Sequence, residues 1–164
     1  MDDKWLWEDG DLNCYTVRSG YNSLRSHDHS LGRPWFKQIW NTKAVGPAQV
    51  CAWRVLLGKL PTRVNLVRRQ VMMLSTVCPL CNNKDETVQH VFFECIVAQK
   101  VWDNCDRWIG IHSVRHNKAG SHLMNFYLIW FNKKVNTVWK GMWLAIVWEI
   151  WRHRNNVVFN AGGC

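Results

Sequence analysis

Cys78-Pro79-Leu80-Cys81 is followed by His90 and Cys95, which writes the pattern C-x2-C-x8-H-x4-C. Two thiols separated by two residues grip one ion from a single tight turn, and an imidazole with a third thiol completes a tetrahedral set of soft ligands. The spacing therefore points to zinc. Four protein ligands leave no position for water or substrate, so the site reads as structural rather than catalytic. Two blander readings compete with it. A redox dithiol wants a βαβ pattern upstream, which is not seen, and it leaves His90 and Cys95 without a role. Unrelated buried thiols beside a buried imidazole are the other alternative, since free cysteine packs as a small hydrophobe.

Positioning these ligands sets conditions on the chain around them. Asn82-Asn83-Lys84-Asp85 supplies a polar turn just after the first thiol pair. On one continuous helix, His90 and Cys95 would point roughly 140° apart, so a break must separate them. The expectation is a short helical or extended piece from Glu86 to Phe92 and a new helix from Ile96 to Trp108, opened by Cys95.

A chain of 164 residues is long enough for one domain with an appendage and a real core. Seven cysteines is an odd number and no apolar leader follows Met1, which suits a reducing, intracellular setting, nucleus or cytoplasm, and not secretion. The longest apolar stretch, Gly141 to Ile150, is interrupted by Glu149 and is too short for a bilayer, so no membrane segment is expected. The twelve tryptophans read as packing surface on short amphipathic helices. Charge is uneven: the net balance is +9, yet residues 12 to 84 carry eleven Lys or Arg against the single acid Asp28. Such a basic half suits a polyanion, while a solvated face explains most individual charge runs.

In chain order, Trp5-Leu6-Trp7 and Cys14 to Val17 alternate around Glu8-Asp9-Gly10-Asp11 as a β-hairpin would. Ser19 has N-cap chemistry for a helix carrying Tyr21 and Leu24, ending in a polar loop from Arg25 to Arg33. Pro34 opens a helix with Phe36, Ile39 and Trp40 at core spacing, ending near Asn41. After Gly46-Pro47, the spacing of Val50, Trp53, Leu56 and Leu57 predicts a buried helical face that Gly58 terminates. Thr62 caps a helix from Arg63 to Val71 in which Leu66 and Val67 pack inward while Arg63, Arg68 and Arg69 reach solvent. His112 and His116 lie four apart but lack the acid and third ligand of a metallohydrolase helix, so they read as linker histidines. A last element runs from Leu123 to Phe159 with a break near Asn132-Lys133.

Tyr15-Thr16-Val17-Arg18-Ser19-Gly20-Tyr21, Ala52 to Leu57, Leu60-Pro61-Thr62-Arg63, the Cys78-Pro79-Leu80-Cys81 turn, His90 to Cys95 and Val101-Trp102, in this order, resemble the zinc-binding domain of plant reverse transcriptases. The resemblance covers residues 5 to about 108. That domain lies on the C-terminal side of the polymerase in LINE-type non-LTR retrotransposon proteins, often ahead of an RNase H-like domain. Trp148 to Asn155 and Phe159 are similar to the helix that joins the two. The resemblance makes Cys78, Cys81, His90 and Cys95 the metal positions, matched residue for residue. It departs at Val45-Gly46-Pro47-Ala48, where relatives usually carry a Pro with a basic residue nearby. The chain has no Tyr-x-Asp-Asp polymerase motif and no spaced set of acids for two-metal chemistry.

The resulting expectation is a mainly α fold with a small N-terminal β-hairpin and a zinc knuckle, a small α+β zinc-binding domain. Residues 1–109 form the zinc-binding domain, 110–122 a linker, and 123–164 a Trp-rich helical segment resembling a connector. The favoured function is a non-catalytic module with one structural zinc that helps a reverse transcriptase hold RNA or DNA. Arg54, Lys59, Arg63, Arg68 and Arg69 would meet phosphates. The reverse transcriptase and RNase H-like domains of a parent polyprotein are the expected partners. The alternatives are a scaffold whose exposed tryptophans dock such domains, and a non-functional transposon relic.

Overall fold

A computed structural model describes residues 15–26, 35–111 and 115–160 of the chain. Among these the architecture is helical: α1 (Val17–Ser26), α2 (Trp35–Trp40), α3 (Gly46–Leu56), α4 (Arg63–Arg68), a π-helical turn (His90–Glu94), α5 (Ile96–Ile109), α6 (Ala119–Asn125) and α7 (Lys133–Asn160). No strand occurs among the described residues, whose only β pairing is an isolated antiparallel bridge between Val77 and Asp85. The expected hairpin falls mostly on residues 1–14, outside the described part, and its last residue, Val17, opens α1. Ser19 is not the cap of that helix. The Thr16 hydroxyl accepts from the Ser19 amide at 3.0 Å and the Ser19 hydroxyl accepts from the Thr16 amide at 3.0 Å, a reciprocal capping box with Thr16 at its start. The side chains of Tyr21 and Leu24 lie outside the described part, as do Pro34, most of the expected Arg25–Arg33 loop and His112.

α3 packs chiefly on α7. The face it buries is Ala48, Cys51, Ala52, Val55 and Leu56; of the expected Val50, Trp53, Leu56 and Leu57, Leu56 is buried, Trp53 and Leu57 are half-buried against the core, and Val50 is exposed. Small side chains let the two helix backbones approach closely, and the bulkier residues are displaced to the flanks. The expected stop holds: Gly58 sits at φ +65, a left-handed conformation that glycine adopts without strain. α7 supplies Trp139, Trp143, Leu144, Val147, Ile150 and Trp151 to the same buried core as α2, α3 and α5. The expected break near 132 is present, and residues 119–122 of the expected linker are already helical in α6.

α4 is shorter than expected, and Gln70 explains why. Gln70 has φ 63, its amide donates to the Val67 carbonyl at 2.9 Å, and the Val71 amide donates back to Leu66 at 3.0 Å. This is a Schellman termination with glutamine where glycine is usual. Val67 is consequently exposed rather than packed inward, Leu66 is half-buried, and no residue of α4 is fully buried. No helix among the described residues is long and apolar enough to cross a membrane.

Candidate metal centre

Each ligand is delivered by a different local device. Cys78 and Cys81 sit on a tight turn closed by the Cys78 amide donating to the Lys84 carbonyl at 2.8 Å and the Asn82 amide donating to the Cys78 carbonyl at 2.9 Å. Asn82 takes φ 52 at the reversal, which asparagine tolerates better than most residues. His90 opens the π-helical turn, where its amide donates to the Thr87 hydroxyl at 3.0 Å. The Cys95 amide then donates to the His90 carbonyl at 2.7 Å, a bond spanning five residues that stacks Cys95 over His90 instead of fanning them apart. Cys95 itself is extended, at ψ 133, and is the N-cap of α5. The required break is thus a π turn followed by one extended residue.

The four ligand atoms of Cys78, Cys81, His90 and Cys95 all lie within 4.8 Å of one another. The edges of a zinc tetrahedron with these donors are about 3.5–3.8 Å, so the set closes on one ion with little movement. His90 turns Nε2 toward the Cys81 sulfur at 3.2 Å, which makes Nε2 the ligating nitrogen. Its buried Nδ1 has no hydrogen-bond partner among the described residues. Cys78, His90 and Cys95 are buried and Cys81 is half-exposed, so the cage is shut from three sides.

The thiols are unequal without an ion. Burial pushes the Cys78 thiol up to about 12, despite the amides of Cys81 and Leu80 that point at its sulfur. Burial also raises Cys95, against the amides of Val97 and Ala98 in the first turn of α5. At Cys81, burial acts upward but is outweighed by the amides of Lys84 and Asn83 and by His90 and Cys78, leaving the thiol at about 6. Every sulfur therefore faces two backbone N–H groups, which would offset the negative charge of three thiolates and an imidazole around a divalent ion. This donor set fits zinc.

A model of the family described as zinc-binding in reverse transcriptase matches residues 15–102, just over half of the sequence and all four ligands. The chain belongs to this family. The match is to the zinc-binding domain alone, and no catalytic domain is found with it. No curated protein and no solved structure matches the chain. Within this zinc-binding reverse-transcriptase domain, the Cys3His cluster is a site for one zinc.

Two residues that sequence reasoning did not single out brace the centre. Glu86 lies in the loop between the thiol pair and His90, is fully buried, and forms a bidentate ion pair with Arg154 of α7 at 2.5 and 2.7 Å. Its carboxylate also accepts from the Arg63 amide at 2.7 Å, so one side chain joins the zinc loop to the start of α4 and to α7. The Arg154 guanidinium lies 4.9 Å from the Trp151 ring centre. The signal was the acid pair Asp85-Glu86 after a long acid-free stretch, but the partner of Glu86 stands 68 residues away. His122 was also missed: it sits among Phe93, Trp102, Phe126 and Trp143, and accepts from the Trp143 indole at 2.9 Å.

The expected phosphate-contacting residues divide. Arg54, Lys59, Arg68 and Arg69 are exposed. The Lys59 amide donates to the Arg54 carbonyl at 2.9 Å and the Arg69 guanidinium donates to the Lys59 carbonyl at 3.2 Å, which brings Arg54, Lys59 and Arg69 together at the α3–α4 turn. Arg63 differs: its Nη1 donates to the Val77 carbonyl at 2.7 Å and its Nε is buried, so it fastens α4 to the zinc loop instead of facing solvent. His116 is half-buried and takes no part in the metal cluster.

Proposed function

We propose that this chain is a non-catalytic zinc module that helps a reverse transcriptase hold its RNA or DNA template. The observation that supports this most is the exposed basic group Arg54, Lys59, Arg68 and Arg69 at the α3–α4 turn, beside the knuckle, in a chain with no acid between Asp28 and Asp85. Phosphate contacts of this kind hold a nucleic acid without reading its sequence. Asp103 and Asp106 share Arg115, so this neighbouring acid pair is engaged in ion pairs rather than open for two-metal chemistry. The parent we infer is a LINE-type non-LTR retrotransposon protein of a plant, in which α7 leads toward an RNase H-like domain.

Replacing Arg54, Lys59, Arg68 and Arg69 together by glutamine tests the reading, with circular dichroism and zinc content as controls. RNA and DNA binding should both weaken, and the log-log salt slope should fall by about 0.7 to 0.9 for each phosphate that is no longer neutralised. A folded variant with unchanged affinity and slope would remove the basic surface from the argument. The exposed turn Ile129-Trp130-Phe131, with Trp130 at 93% exposure, supports a second reading, docking of a polymerase or RNase H-like domain. Salt-insensitive association that Trp130→Ser abolishes would favour it.

A further inference from the structure

The segment from Gln70 to Ser75 is neither core nor ordinary loop. Gln70 is held at positive φ, an uncommon conformation for a residue with a side chain, and it turns the chain out of α4. Beyond it, Met72 is 97% exposed and Leu74 fully exposed, with Val71 and Val67 half in water beside them. Both ends of the segment are fixed. At one end the Val71 amide is tied to Leu66. At the other, the Val77 amide donates to the Ser75 hydroxyl at 3.2 Å, the Thr76 hydroxyl donates to Asp85 at 2.6 Å, and the Glu86 amide donates to the Thr76 carbonyl at 2.7 Å. Arg63 holds Val77 from beneath. Two flexible apolar side chains therefore stand out on a short loop braced by the zinc knuckle on one side and a helix terminus on the other.

The surroundings of this tip define its partner. Arg68 and Arg69 immediately precede it, Lys59 adjoins Arg69, and Lys84 pairs its carbonyl with Cys78 across the knuckle. Of the nearby carboxylates, Glu86 is paired with the Arg154 guanidinium and accepts from the Arg63 backbone amide, while Asp85 accepts from the Thr76 hydroxyl. Basic side chains flanking a projecting Met or Leu are the chemistry with which proteins pry apart a base step: cations neutralise the two backbones while the apolar wedge replaces base stacking. The positive charge of Arg68, Arg69 and Lys59 around the exposed Val71, Met72, Met73 and Leu74 outweighs that of Asp85 and favours a polyanion as the partner.

We infer that Met72 and Leu74 form a wedge that inserts between stacked bases of a nucleic-acid duplex held by the flanking arginines and lysines. This rests on the nucleic-acid reading above and adds to it a duplex substrate and a deformation. The probe is a DNA duplex of repeated TA steps, which unstack easily, with 2-aminopurine in place of alternate adenines and an anisotropy label at one end. The anisotropy reports binding and the 2-aminopurine emission reports unstacking. The full chain should bind and raise the emission. Met72→Ser with Leu74→Ser should abolish the rise and weaken binding about tenfold or more, with the salt slope unchanged because the same phosphates stay neutralised. Leu74→Ser alone should give an intermediate rise. Binding by the unsubstituted chain without any emission change overturns the wedge and leaves the phosphate-holding reading intact. A double variant that unstacks as well as the parent also overturns it. No binding to this duplex overturns the wedge, while RNA binding by the same chain decides separately whether the phosphate-holding reading stands, and salt-insensitive self-association removed by the double variant assigns the tip to a protein contact instead.

Discussion

Cys81 differs from the other two thiols in what its sulfur meets. Lys84 and Asn83 amides and the His90 ring hold it near 6, whereas burial keeps Cys78 near 12 and Cys95 above its ordinary value. If the metal-free knuckle keeps this geometry, zinc binding at pH 7.4 should displace about two protons, those of Cys78 and Cys95, because Cys81 is already a thiolate. If the knuckle opens without metal, all three thiols return to their ordinary range and about three protons leave. Calorimetry in buffers of different ionisation enthalpy counts them. Release of none would rule out thiolate ligation. His122 takes its proton at lower pH than an exposed imidazole: burial first, then Arg115 and His116, lowers it to about 4. The unfolded chain, with His near 6.5, binds this proton first, so the stability held above pH 6.5 is lost as pH falls toward 4, up to about 3 kcal/mol. Urea titrations across this window should show a shallower pH dependence for His122→Gln than for the parent, and equal slopes would exclude a buried neutral imidazole. The ligand set was legible because metal spacing is local in sequence. His122 was not, because its aromatic surroundings come from the π turn, α5, the end of α6 and α7.

At the scale of elements, local chemistry read well where one residue fixes the conformation. Thr62 caps α4, its hydroxyl accepting from the Asn65 amide, and the need for a break between His90 and Cys95 followed from helical geometry alone. The buried face of α3 followed only in part, because bulky residues look like core in sequence while Ala48, Cys51 and Ala52 are what allow α7 to come close. The end of α4 was misplaced for a related reason: no glycine marks it, and Gln70 bears the left-handed conformation. Gln70→Gly should therefore stabilise the protein by up to about 1 kcal/mol in chemical denaturation, the relief of strain exceeding the entropy of the added glycine. Destabilisation would mean that the Gln70 side chain contributes more than its backbone costs. The Glu86–Arg154 pair makes the converse case. Removing one partner, as in Glu86→Gln or Arg154→Met, leaves an uncompensated buried charge and should cost about 3–5 kcal/mol, while the double substitution should cost less than the sum. Additive costs in that cycle would show that the two side chains act independently.

Over the whole molecule, the metal centre and the long helix are joined through Glu86, and this coupling was invisible in the sequence, where the two partners stand far apart. The loop holding Glu86 is shaped by the ligands on either side of it, so losing zinc should release Glu86 as well as Cys78, Cys81, His90 and Cys95. Arg154 would then be left buried with only the Trp151 ring and the Asn155 side chain, an arrangement too costly to persist. The rest of α7 has other support, since Trp139, Trp143, Leu144 and Val147 belong to the core shared with α3. Chelation should accordingly raise hydrogen exchange in two separated segments, the knuckle with the first turns of α5, and the last turns of α7 from Arg152 onward, while α3 and the first half of α7 keep their protection. Arg154→Met should abolish the response in α7 without changing that of the knuckle. Increased exchange confined to residues 76–100, with the end of α7 unaffected, would show that Arg154 does not transmit the state of the metal to the helix.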